Sequence, residues 1–210
     1  KKKAEKRAQD EKRLRNLVDR LNRAIEAQRK AVEKREAERR LAAKNARKQA
    51  KQSKQTRKSR PVSRDDTETV TEAPYRPDTA SAFGRMRGKL KMPVAGTITA
   101  RYGMKRADGP SWKGIFIRTA PGAAVHAVAG GRVVFADFLR GFGNLIIVDH
   151  GNQYMTIYGN AQSLAKRTGD NISAGDTIAS AGNSGENTET GLYFEIRHNG
   201  RAYNPLDWIR

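Results

Sequence analysis

Residues 129–149 read AGGRVVFADFLRGFGNLIIVD. Two runs of strand-forming residues, Arg132–Ala136 and Asn144–Asp149, are set off by Gly130–Gly131 and by Gly141-Phe142-Gly143. Short apolar runs with a period of two, bounded by glycine turns, are the signature of antiparallel strands. The same pattern extends outward to Thr97–Arg101, Gly114–Arg118, Ala124–Val128, Gln153–Tyr158, Asp176–Ala181 and Leu192–Arg197, with a further turn at Gly182–Gly185. Eight such strands and no convincing helix predict a mainly β domain over residues 89–210, a sandwich or open barrel. That length buries a core without staples. Trp112, Phe135, Phe138, Tyr158, Phe194 and Trp208 are expected to supply much of it.

The N-terminal part has a different grammar. Residues 1–60 contain no Gly and are rich in Ala, Glu, Lys, Arg and Gln, all good helix formers. Leu14, Val18, Leu21, Ile25 and Val32 fall at alternating spacings of four and three, with Gln28 in the intervening slot, the seam of a coiled coil. The register then reaches Arg35, Arg39, Ala42 and Ala46 and loses its apolar character, so residues 1–50 are expected to be the end of a helical coiled coil. Between the two lies a stretch dominated by Gln, Ser, Thr, Arg and Pro, broken by Pro61, Pro74 and Pro77. Residues 51–88 read as a linker or arm, with one short helix near Ala80–Met86.

Charge follows the same division. Of 42 Lys and Arg against 22 Asp and Glu, residues 1–60 hold 24 and 8, leaving 18 and 14 for the remainder. The basic residues circle the helix and alternate with Glu, which describes a solvated face better than a phosphate-binding one, and no nucleic-acid-binding signature accompanies them. With no Cys, disulfide frameworks, thiolate metal sites and thiol nucleophiles are excluded. No apolar run is long enough to span a membrane. The chain starts at Lys1, which leaves targeting signals unread.

Several segments, in order, resemble the LytM-type (lysostaphin-like) zinc metallopeptidases. They are Trp112-Lys113-Gly114-Ile115-Phe116-Ile117, Gly122-Ala123-Ala124-Val125, Ala129-Gly130-Gly131-Arg132-Val133-Val134, Gly141-Phe142-Gly143-Asn144, Asp149-His150-Gly151, Thr156-Ile157-Tyr158-Gly159-Asn160, Gly182-Asn183-Ser184-Gly185, Leu192-Tyr193-Phe194-Glu195-Ile196-Arg197 and Asn204-Pro205-Leu206-Asp207-Trp208. Active members hold zinc with a His and an Asp four residues apart and with the second His of a His-x-His pair. The resemblance places these ligands on Trp112, Phe116 and Tyr193. The first His of the pair falls on Gly191, and a catalytic His that follows Tyr-Gly falls on Asn160. An indole, a phenyl ring and a neutral phenol are poor metal ligands. Without a metal, no water is acidified and no carbonyl polarised. The sequence therefore predicts a non-catalytic domain with neither metal nor cofactor.

Other residues offer no substitute chemistry. His126, His150 and His198 lack partners at ligand-like offsets and are expected to be structural or superficial. Ser184 lies in a Gly-Asn-Ser-Gly turn, which is not a nucleophile elbow. What remains is a scaffold whose cleft floor changes to aromatics. Trp112 and Phe116 could close over it as core. Alternatively, Lys113, Tyr193 and Arg197, with Phe142 and Leu145 on a flanking loop, could line a protein-binding groove, the kind that takes an amphipathic helix.

Phe83-Gly84-Arg85-Met86-Arg87-Gly88-Lys89, Pro93-Val94-Ala95-Gly96 and the two strings around Trp112 and Tyr193, following a coiled coil, resemble the murein hydrolase activator EnvC family. The resemblance implies a periplasmic, non-catalytic protein of the division septum. It would bind peptidoglycan amidases through the vacated groove and relieve their autoinhibition, with its coiled coil linked to the FtsEX membrane complex. It also implies an arm, placed at residues 51–88, that covers the groove until released. The alternatives are a peptidoglycan-binding module without activator role and a binder of anionic polymer or nucleic acid.

Overall fold

The structure, a computed structural model, describes residues 2–54 and 82–210. Two compact units divide the chain: residues 1–22 together with 77–210, and residues 23–76. The helix α1 (Lys2–Lys54) contributes to both, and no Gly or Pro interrupts it. In the second unit α1 is largely exposed and carries the pairs Arg29–Glu26 (2.9 Å) and Arg29–Glu33 (3.7 Å). Such solvated pairs stabilise a helix by only a few tenths of a kcal/mol each. Most of the expected arm of residues 51–88 lies outside the described residues.

In the first unit ten strands follow: β1 (Thr97–Ala100), β2 (Ile115–Arg118), β3 (Ala124–His126), β4 (Gly131–Leu139), β5 (Gly143–Asp149), β6 (Tyr154–Leu164), β7 (Asn171–Ile172), β8 (Thr177–Ala181), β9 (Gly191–His198) and β10 (Arg201–Tyr203). All eight expected strands form, joined by the short β7 and β10. The sheet order is β1-β2-β9-β6-β5-β4-β7, and every pairing among these strands is antiparallel. Strand β6 is long enough to serve two neighbourhoods. Its first half lies between β5 and β9, and its last residues turn to β8, which pairs with β3. The expected short helix is a 3₁₀ turn at Gly84–Met86.

Alternation sorts the side chains of the central strands onto two faces. Leu192, Phe194 and Ile196 of β9, with Ile146, Val148 and Tyr158, belong to the main core, which also takes Val125, Ile178 and Ala181 from the second layer. Phe83, Leu90 and Trp208 close one end of that core, and Leu90 and Ile209 form a parallel bridge. Of the aromatics expected inside, Phe138 is 57% exposed. It sits near the end of β4.

The opposite face is also largely apolar, apart from one buried charged pair. Cross-strand partners share a face, and the register puts Phe116 opposite Tyr193, Ile157 opposite both Ile147 and Glu195, and Met155 opposite Arg197. All of these are buried. An antiparallel sheet with two apolar faces needs two covers, and α1 lies on this one. Leu14 and Val18 are fully buried and Leu17 nearly so. The seam that reads as a coiled coil is thus buried, at its first two positions, against the sheet of its own chain, and Leu21 is half-buried.

Candidate functional site

Strands β2 and β9 bring the expected site residues together. The Trp112 ring centroid lies 6.2 Å from that of Phe116 and 6.0 Å from that of Tyr193, and Phe142 lies 5.4 Å from Tyr193. Phe116, Phe142, Leu145 and Tyr193 are buried, while Trp112 and Lys113 are half-buried. These rings replace a metal-binding floor. Asn160, in left-handed backbone at φ 65°, donates from Nδ2 to the Gly182 and Gly191 carbonyls (2.8 and 3.2 Å) and accepts from the Gly185 amide (2.9 Å). It ties down the loop leading into β9. A β-carbon on Gly191 would collide with the Ile117 carbonyl oxygen and come within 2.9 Å of the Phe116 ring, so a histidine does not fit there. The residues at these five positions do not fit a zinc site. Among the described residues, no three His, Cys, Asp or Glu side chains gather where they could hold a metal ion.

Tyr193 and Arg197 are buried beside a residue that the sequence reading passed over. The Glu195 carboxylate, with no exposed surface, accepts from the Tyr193 hydroxyl (2.5 Å) and from Arg197 Nε and Nη2 (2.6 and 3.4 Å). Burial holds the phenol well above its ordinary range, so it remains a donor. For the Arg197 guanidinium burial acts downward, but the Glu195 carboxylate outweighs it and the group is held charged. Positions 193, 195 and 197 share a face by the period of two, so Glu195 was findable once Tyr193 and Arg197 had been singled out.

The helix reaches the same place from the other side. Arg7 donates to the Asp108 carbonyl (3.0 Å), and Lys6 pairs with Glu186 (2.7 Å). A β-carbon on Gly141 would lie 2.6 Å from that of Asp10. Only a residue without a side chain lets α1 approach the backbone this closely, and its φ of 91° suits glycine as well. Further along, Asp19 lies against the Gly200 turn. Arg7, Asp10 and Glu11 line a cleft with Trp112, Phe142 and Tyr193. Arg106, from the loop between β1 and β2, places its guanidinium 3.8 Å from the Trp112 ring centroid, a cation–π arrangement. Arg106 sits in an irregular loop, so no period marked it.

The histidines serve structure. His198 stacks on Tyr154 at 3.9 Å, and His126 Nδ1 lies 3.1 Å from the Gly175 carbonyl. His150 is buried. Its Nδ1 lies 2.7 Å from the Gly130 carbonyl and its Nε2 2.7 Å from Thr156 Oγ1. A carbonyl partner makes Nδ1 the protonated nitrogen and leaves Nε2 as acceptor. Burial lowers its pKa from 6.5 to about 4, against a smaller upward pull from Gly130. The unfolded chain therefore takes a proton before the folded one does. The stabilisation is complete above pH 6.5 and is lost as pH falls towards 4, by about 3 kcal/mol in all. Glu11, raised by burial to about 7, acts in the opposite sense over this window, so the test is a difference: in urea titrations at pH 7 and pH 4, His150→Gln is expected to lose about 3 kcal/mol less on acidification than the native chain. An equal acid loss in the variant would refute the assignment.

Comparison with known proteins agrees with this geometry. The model of peptidase family M23 matches residues 110–205. The murein hydrolase activator EnvC of Escherichia coli K12 is 37% identical over 200 residues, covering 95% of this chain and 44% of that protein. The murein hydrolase activator NlpD of the same strain is 37% identical over 120 residues, covering 57% and 31%. Among solved structures, Helicobacter pylori Csd3 superposes with a TM-score of 0.52 at 26% identity, covering 59% of this chain and 34% of that one. The chain spans less than half the length of the curated relatives it matches.

Proposed function

Because residues 110–205 match the model of peptidase family M23, and because that family's ligand positions are here rings, an amide and a glycine, we propose that this protein activates cell-wall hydrolases without cleaving the wall itself. Its targets are peptidoglycan N-acetylmuramoyl-L-alanine amidases, its setting is the periplasmic side of the division septum, and its coiled coil connects it to an FtsEX-type membrane complex. The observation that carries the reading is the helix in the cleft. A face that in a peptidase would present metal and substrate is an aromatic floor, and an amphipathic helix occupies it. A surface that takes one helix can take another. Similarity to two proteins named as murein hydrolase activators points the same way.

The mechanism is a competition. In the closed state Arg7–Val18 of α1 cover Phe142, Tyr193 and their neighbours. When α1 lifts, the floor is free to bind a helix of the amidase and to hold it away from the amidase's own active site. An activator shifts its target only by its preference for the open form, and moving a population from 1:99 to 99:1 takes about 5.5 kcal/mol. Dye-labelled peptidoglycan tests the reading. The protein with a cognate amidase is expected to release dye at least tenfold faster than the amidase alone, and the protein without amidase to release none. Release by the protein alone would overturn the proposal, as would failure to stimulate even when α1 has been forced out.

A further inference from the structure

The helix on the cleft floor is a poorly matched occupant. Among the described residues, three buried side-chain atoms have no hydrogen-bond partner: Asp10 Oδ2, Glu11 Oε1 and Arg106 Nε. All three lie where α1 meets the cleft. The Glu195, Tyr193 and Arg197 network beneath is, by contrast, closed on itself. A buried polar atom without a partner is a standing cost, so the misfit lies where occupant and cleft meet, with two of its three atoms on the helix.

The charges show the direction of the misfit. Glu11 is held up at about 7 by its burial and then by the neighbouring Glu195 carboxylate, against the opposing pull of Arg106, Arg197 and Lys113. Arg106 is pushed down chiefly by burial, and Arg7 of the helix adds to that push. At one turn of α1 a cation meets a half-buried cation, and at the next a carboxylate meets a buried carboxylate. A guanidinium held over an indole, with a free Nε–H, suits a carboxylate placed to meet it.

Building on the groove reading above, we propose that the cleft selects, over its own helix, an amphipathic partner helix that carries a carboxylate where α1 carries Arg7 and an uncharged side chain where α1 carries Glu11, and that Arg106 is the residue that reads this carboxylate. The apolar anchors remain those of Leu14 and Val18, so the recognised pattern is an acid followed seven and eleven positions later by branched aliphatic residues. α1 fills the cleft well enough to cover it and badly enough to be displaced.

The test uses the full chain carrying Leu14→Asp and Val18→Asp, which empties the cleft, and fluorescein-labelled peptides of residues 2–22. One peptide has the native sequence, one carries Arg7→Glu, and one carries Arg7→Glu with Glu11→Gln. Fluorescence anisotropy at pH 7.5 is expected to show the doubly changed peptide binding at least tenfold more tightly than the native one. In a chain that also carries Arg106→Gln, the gain from Arg7→Glu is expected to fall below twofold. Arg106→Lys, which keeps the charge but loses the fork, is expected to fall between. Equal binding of the three peptides, or a gain that persists without Arg106, would overturn this proposal while leaving the groove reading intact. No binding by any peptide would overturn both. The comparison of the three peptides on the chain carrying only Leu14→Asp and Val18→Asp needs no change at Arg106, so it stands even if Arg106→Gln fails to fold.

Discussion

A chain carrying Leu14→Asp and Val18→Asp is expected to stimulate a cognate amidase at least tenfold more strongly than the native chain. Both side chains are fully buried in the native structure. Each contributes about 1.5–3 kcal/mol by leaving water, and an unpaired carboxylate in its place adds a further penalty of desolvation. The closed state therefore loses about 4 kcal/mol or more, which moves the open population by roughly a thousandfold until it saturates. The domain is expected to survive, because its main core contains neither residue. Hydrogen exchange separates the two effects. Amides of residues 2–22 are expected to lose protection, whereas those of β6 and β9 keep it. Unchanged protection in the helix would mean that it is not held by these two side chains. Full release without increased stimulation would mean that covering the cleft is not what limits activation.

Much of the β domain could be read directly, for a physical reason. In an antiparallel sheet, alternation and turn chemistry act over a few residues, so Gly141-Phe142-Gly143 and the runs on either side of it suffice to place β4 and β5. The strands that escaped notice, Asn171–Ile172 and Arg201–Tyr203, are too short to show a period. The helix was equally legible, but its partner was not. A spacing of three and four says that one face of α1 is buried and is silent on what buries it. Leu14 and Val18 would read the same way facing another helix or the Phe116 and Tyr193 face of a sheet. The cleft shows a further limit. Trp112, Phe116, Asn160, Gly191 and Tyr193 could be located because each stands at a ligand or catalytic position of the resembled family. Arg106 and Glu11 stand at none, and only the tertiary structure brings them to one place. Glu195 falls between these cases. Its neighbours two residues away on either side pointed to its face, and its burial as a paired carboxylate depends on α1 covering that face.

The buried carboxylate carries the second large effect. Glu195→Ala is expected to destabilise the protein by about 3–5 kcal/mol, because it strips the Arg197 guanidinium, which is only 4% exposed, of its carboxylate and leaves the Tyr193 hydroxyl without its acceptor. What Arg197 then retains is a long contact from Nη1 to the Gly200 carbonyl at 3.4 Å and the weaker pull of Glu11. The loss measures an uncompensated charge more than the worth of the ion pair, and two further variants distinguish these. Glu195→Gln keeps an acceptor of the same shape and is expected to cost less than half as much. Adding Arg197→Met to Glu195→Ala removes the stranded charge and is expected to recover a large part of the loss, since replacing a buried pair with apolar groups is often nearly neutral. Urea unfolding at pH 7 decides the matter. A single alanine variant within 1 kcal/mol of the native chain would mean that water reaches Arg197 when Glu195 is gone, and the cleft floor would then be softer than its packing indicates. Recovery in the double variant would assign the cost to the charge. A loss that stays in place would assign it to the shape of β9, the strand that carries Tyr193 to the helix.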